Sequence, residues 1–117
     1  MTDDDLTSLL ESERQAALSR VAALQREFAD IAASAAGADD EHDPEGATIA
    51  FERQHLAALL AQARNHVDQV ELCLQRLANG SYGTCVGCRQ PIPPARLAAR
   101  PTATTCARCA GRDSRRR

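Results

Sequence analysis

The chain has 117 residues, enough for about one ordinary domain, with two Phe, one Tyr and no Trp. Abundant alanine and leucine favour packed helices over a β-sandwich core. No segment reaches about eighteen apolar residues, which excludes a membrane-spanning helix. The acidic start MTDDDLTSLL lacks the basic region of a secretory signal, so a cytoplasmic location is expected. The net charge of -2 hides a strong polarity: residues 37–46 hold five acids and no base, and residues 80–117 hold eight arginines and one acid. Such asymmetry speaks to partners and orientation more than to fold.

The first predicted element is a long helix, capped by Thr2 or Asp5. Leu10, Ala17, Leu24 and Ile31 recur every seven residues, with Val21, Phe28 and Ala35 at the complementary spacing. Leu6 extends the same face, Arg14 interrupts it, and Gly37 is a plausible C-cap. A second seam runs Ile49, Leu56, Ala63, Val70 and Leu77, accompanied by Leu60, Val67 and Leu74, until Asn79-Gly80 closes the helix. Arg53 occupies the companion position nearest the loop. Each helix should run about 45 Å. Two such helices predict a mainly α protein in which residues 3–79 form an antiparallel coiled-coil hairpin. The alternative use of the same stripes is pairing with a second copy in a four-helix dimer.

Between the seams lies ADDEHDPEGAT, residues 38–48, which contains Asp39, Asp40, Glu41, Asp43 and Glu45. A hairpin places it at the tip. The plainest reading is a solvated loop whose acids favour the start of the second helix, with Thr48 or Asp43 as its cap and Pro44 stiffening the turn. A calcium loop fits poorly, because Pro44 stands where such a loop needs glycine.

The most specific chemistry lies in CVGCRQPIPPARLAARPTATTCARC, residues 85–109. Two Cys-x2-Cys pairs offer Cys85, Cys88, Cys106 and Cys109 to one ion. Four thiolates suit tetrahedral zinc and leave no position for a substrate water, so the site reads as structural. An iron-sulfur cluster also uses four thiolates, but the compact paired spacing favours zinc; a disulfide reading needs an oxidising compartment for which nothing argues. Residues 80–111 are therefore expected to form a finger folded around the metal, with Ile92 and Leu97 as apolar plugs and Tyr82 packing where finger meets stalk. Residues 95–100 have room for one or two helical turns before Pro101.

Cys73, the odd cysteine, reads as a small apolar residue beside Leu74. His42, His55 and His66 share no metal-like spacing. No paired nucleophile and base and no phosphate-binding glycine loop occur, so an enzyme is not expected. The tail, residues 112–117, reads as flexible and basic, with Arg112, Arg115, Arg116 and Arg117 as candidate contacts to phosphate or to a partner. The chain contains no lysine, so arginine supplies every fixed base.

With hairpin and finger both in place, the sequence resembles the DksA/TraR family of bacterial transcription regulators. The most specific match is YGTCVGCRQPIPPARLAARPTATTCARCA, Tyr82 to Ala110: the cysteine spacing, the preceding Tyr-Gly, the Pro-Ile after the first pair and the Arg-Leu-x-Ala-Arg-Pro run. The resemblance implies one structural zinc and a regulator that is not an enzyme. It implies a finger end docked at the rim of the RNA polymerase secondary channel, and a coiled-coil tip approaching the catalytic region to modulate initiation. The family's tip commonly reads Asp-x-x-Asp-x-Ala. Counting back from Cys85, Glu45 takes the second acid and Ala47 the alanine; His42 takes the first acid's place, with Asp43 beside it. Some members act with the alarmone ppGpp, but Arg53, Arg64 and Arg76 of the second helix give no specific pocket for it. Sequence-specific DNA binding is not expected. Two alternatives stay open on the residues alone: a DNA-binding zinc-finger factor acting through the basic end, and a dimeric coiled-coil adaptor.

Overall fold

The computed structural model describes residues 2–35 and 44–116. The protein is mainly α, with α1 at Asp3–Ala35, α2 at Pro44–Asn79, α3 at Pro94–Ala99 and α4 at Ala107–Arg116. Among the described residues, β structure is limited to one isolated bridge between Thr84 and Pro91.

The start of α1 is a reciprocal cap. The Asp5 N–H donates to Thr2 Oγ1 at 3.2 Å, and the Thr2 N–H donates to Asp5 Oδ2 at 3.1 Å. Each side chain thereby satisfies a backbone donor that the helix cannot. Hydrogen bonds from the Thr2 backbone and then its side chain hold the Asp5 carboxyl below its ordinary range. Thr2 is thus the cap, with Asp5 its partner. Gly37, the expected C-cap, lies outside the described residues.

Helix α2 starts at Pro44, five residues before the first apolar seam position. Proline fits the first helical turn, because its fixed φ suits the helix and its missing N–H would have no partner there. Thr48 therefore lies inside α2 and does not cap it. Asp43, the other expected cap, lies outside the described residues.

The chain divides into two compact units, Glu13–Asp68 and Met1–Ser12 with Gln69–Arg117. Within the first, α1 and α2 pack antiparallel: Glu13, early in α1, places its Oε2 3.7 Å from Nε2 of His66, late in α2, while Phe28 and Leu60 share a cluster farther along. That cluster is built on Leu24, Leu56 and Ala63, with Val21, Ile31 and Leu59 packed against it. Leu10, Ala17 and Leu24 of one heptad series, and Leu56, Ala63 and Val70 of the other, are buried. Of their companions, Val67 is buried while Val21, Phe28, Leu60 and Leu74 are half-buried.

In the second unit, Leu10, Val70 and Cys73 form a buried cluster against which Leu74, Leu77 and Tyr82 pack. Cys73 is 1% exposed and belongs to the core, a small apolar side chain in a tight place. The finger thus shares a compact unit with the helix ends it adjoins. A segment of this size cannot build a sufficient core alone, so it borrows apolar surface from α1 and α2. Gly80, at φ +84°, makes the turn out of α2; the N–H groups of Ser81 and Tyr82 donate back to the Arg76 carbonyl at 2.8 and 3.1 Å.

Candidate metal centre

Two knuckles and a short helix build the site. The first pair, Cys85 and Cys88, lies in a tight turn held by the Cys85 N–H donating to Gln90 O and the Arg89 N–H donating to Cys85 O, each at 2.9 Å. Arg89 closes that turn with φ 64°, a left-handed conformation uncommon outside glycine. The second pair brackets the start of α4, with Cys106 just before the helix and Cys109 in its first turn. The Val86 N–H donates to Thr104 O at 2.9 Å and ties the two knuckles together.

The four Sγ atoms all lie within 4.8 Å of one another. Sγ of Cys106 is 3.8 Å from that of Cys85 and 3.9 Å from that of Cys88. A disulfide needs about 2.05 Å. Tetrahedral zinc with Zn–S bonds of about 2.3 Å puts its sulfurs about 3.8 Å apart. The observed spacings fit a four-thiolate zinc centre.

The electrostatics agree. Backbone N–H groups of Cys88 and then Cys106 stabilise the Cys85 thiolate and lower its pKa to about 6. The Cys106 N–H reaches Cys85 Sγ at 3.3 Å. The backbone N–H of Cys109 lowers the Cys106 pKa in the same sense. Cys109 is pushed up to about 12, mainly by the hydrogen bonds it shares with Cys106 and Cys85. A cluster so arranged holds its last proton tightly unless a cation replaces it, and one zinc ion supplies that cation.

Around the sulfurs, Ile92 is buried with Cys85 and Cys109, and Leu97 packs against them. Tyr82 donates its hydroxyl to Pro101 O at 2.8 Å. Three further residues have roles that sequence reasoning missed. Arg76 extends a guanidinium NH2 group to the carbonyls of Ser81 at 3.0 Å and Thr84 at 2.6 Å, joining the end of α2 to the first knuckle. Arg96 of α3 donates Nε–H to Thr105 O at 2.8 Å, directly before Cys106. Its place in the Arg-Leu-x-Ala-Arg-Pro run was a signal without an assigned role. At Gly87, a Cβ would meet Cys109 Sγ at 2.9 Å and Cys109 Cβ at 3.2 Å, so only glycine lets the knuckles close.

The other expected site residues are not part of this centre. His42 and Asp43 lie outside the described residues, Glu45 lies in the first turn of α2, and Ala47 is exposed on that helix. Arg112 is exposed on α4, Arg115 and Arg116 continue the same helix, and Arg117 lies outside the described residues. The expected tail is therefore helical through Arg116. Alanine and arginine are good helix formers, and arginines near a C-terminus complement the helix dipole.

Comparison with known proteins matches this geometry. A family profile described as prokaryotic dksA/traR C4-type zinc finger matches residues 80–115. The uncharacterised protein YteA of Bacillus subtilis is 40% identical over 74 residues, 63% of this chain and 31% of YteA. The RNA polymerase-binding transcription factor DksA of Caulobacter vibrioides is 42% identical over 53 residues, 45% of this chain and 37% of that protein. The chain thus spans about a third of the length of these curated relatives. The structure of transcription factor DksA2 from Pseudomonas aeruginosa superposes with a TM-score of 0.81 at 30% identity, covering 97% of this chain and 84% of that one. The chain belongs to the DksA/TraR family. Its fold is the family's coiled-coil hairpin with a C4 finger, and the finger holds one structural zinc. Arg76, Arg96, Tyr82 and Gly87 are the residues of this DksA/TraR member that shape the metal centre from outside the thiolate set.

Proposed function

We propose that the protein is a transcription regulator that binds RNA polymerase. The observation that carries this reading is the similarity over 97% of the chain to a DksA2 transcription factor. The Caulobacter relative, named as RNA polymerase-binding, supports it. On this reading the zinc finger and the helix ends packed on it dock at the secondary channel of the polymerase, in the cytoplasm where that enzyme works. Residues 42–47, HDPEGA, reach toward the catalytic region and alter initiation. The protein performs no chemistry itself. Asp43 and Glu45 carry the effect by perturbing the metal-binding region or by charge-assisted hydrogen bonds to basic polymerase groups. His42 stands in place of an acid, so the promoter outcome depends chiefly on those two carboxylates. No residue is assigned to ppGpp.

The test is a purified transcription assay with core polymerase binding measured in parallel. Asp43→Ala with Glu45→Ala should keep zinc content, helicity and polymerase binding while losing the effect on initiation. Undiminished regulation by that variant would remove the tip from the mechanism. Failure of the wild-type protein to bind polymerase would remove the reading altogether.

A further inference from the structure

We infer that Arg96 is a positioning residue for the zinc-thiolate centre: its guanidinium holds the Thr105–Cys106 peptide so that the Cys106 N–H donates to Cys85 Sγ. The Arg96 Nε–H meets Thr105 O at 2.8 Å, and the nitrogen of the same peptide unit lies 3.3 Å from Cys85 Sγ. A peptide unit is planar and trans, so its C=O and N–H point in opposite directions. A donor that fixes the oxygen thereby aims the hydrogen. The guanidinium also carries a full positive charge. Its hydrogen bond to the oxygen polarises the amide and strengthens the N–H as a donor. A continuous line of hydrogen bonds thus runs from the charge of Arg96 to the sulfur of Cys85.

The surroundings place Arg96 for this task. It lies in α3, whose next residue, Leu97, packs against Cys85, Ile92 and Cys109. That contact fixes α3 beside the sulfurs and sets where the Arg96 side chain begins. Arg96 is half-buried, and among the described residues Thr105 O is the acceptor that its side chain meets. The approach to the second cysteine pair is also held one residue earlier, where the Val86 N–H donates to Thr104 O at 2.9 Å. Thr104, Thr105 and Cys106 each therefore have a backbone group engaged within the finger.

The first cysteine pair supplies a comparison inside the same finger. Both pairs read Thr-Cys-x-x-Cys, from Thr84 and from Thr105, and an arginine holds the threonine carbonyl in each. Arg76 meets Thr84 O at 2.6 Å, but the N–H of that peptide donates to Gln90 O at 2.9 Å and not to sulfur. Arg76 therefore holds backbone without reaching a thiolate through it. One contact thus has two consequences. At Thr84 it fastens the first knuckle to α2; at Thr105 it acts on a metal ligand. Hydrogen bonds from outside the ligand set orient the ligands and govern how firmly they hold an ion.

The experiment uses the full chain loaded with cadmium-113 or cobalt(II) as spectroscopic probes, without polymerase, so its outcome is separate from that of the polymerase assay. In the cadmium form, the Cys106 amide proton should show scalar coupling to the metal across its hydrogen bond to Cys85 Sγ. Arg96→Met keeps an apolar stem and removes the donor. That coupling should weaken, the sulfur-to-cobalt charge-transfer band should move to lower energy, and zinc affinity should fall about 10-fold. Arg96→Lys, which keeps a charge and a donor, should recover most of each effect. Arg76→Met should lower the melting point while leaving the coupling and the band in place. Absence of the coupling in the wild-type chain overturns the inference, whether or not a variant folds. So do a coupling and a band unchanged in Arg96→Met, or an equal change in Arg76→Met, which would make both arginines simple fasteners of the backbone.

Discussion

Residues 13–68 and the finger-bearing unit solve the stability problem in different ways. The first distributes it: Leu24, Leu56 and Ala63 are buried at intervals along two helices, and each contributes apolar area without depending on any special geometry. The second has a small helix core at Leu10, Val70 and Cys73, but its finger concentrates stability in Cys85, Ile92 and Cys109, whose closure depends on a metal ion, a glycine and two arginines that bond carbonyls. A distributed core should lose stability in increments. A concentrated one should fail as a unit.

The largest break in that comparison is removal of a thiolate. Cys85→Ser, or chelation of the zinc, should abolish metal binding and unfold the finger, since structural zinc contributes about 10 kcal/mol or more of folding free energy. Metal analysis should read near zero while far-UV circular dichroism keeps most of its helical signal from α1 and α2. A wholesale collapse of helicity would show that the two units are not separable in this way.

Next in size, Leu24→Ala should cost about 2–4 kcal/mol by opening a cavity at a residue only 6% exposed. Thermal or urea unfolding would measure it, with zinc affinity within error of wild type. A matching loss of zinc affinity would contradict the separation of the two cores.

Gly87→Ala should sharpen the contrast from the other side. The new methyl would press on Cys109 Sγ, and zinc affinity should fall about 10–100-fold, the range seen when the surroundings of metal ligands are disturbed. Competition with a chromogenic chelator would report it. The smallest effect expected is a gain: Arg89→Gly relieves a left-handed backbone and should stabilise the finger by about 1 kcal/mol. An unchanged or lowered melting point of the zinc-loaded protein would mean that the Arg89 side chain makes a compensating contribution.

The seam and the thiolate pairs were legible because both are local patterns. A helix repeats about every 3.6 residues, so apolar residues seven apart must share a face. Two Cys-x2-Cys knuckles likewise state their chemistry in their spacing. The first residue of α2 was less legible, since Pro44 reads as a helix stop in mid-segment and a helix start at N1. Arg76 shows the opposite limit: its sequence neighbourhood marks only one more base on a helix, while its partners are carbonyls five and eight residues away.

The sequence by itself therefore determined two long amphipathic helices, one four-thiolate zinc finger and a chain polarised between acid and arginine, because periodicity, ligand spacing and charge are properties of the chain. Only the tertiary structure decided that the finger shares a compact unit with Leu10, Val70 and Cys73. It alone decided that Gly87 must stay bare beside Cys109 and that Arg76 and Arg96 hold carbonyls while Arg108 and Arg112 lie exposed on α4. The physical reason is that packing, close approach and hydrogen-bond partnership are relations between residues distant in sequence, and no local pattern encodes which carbonyl a guanidinium will meet.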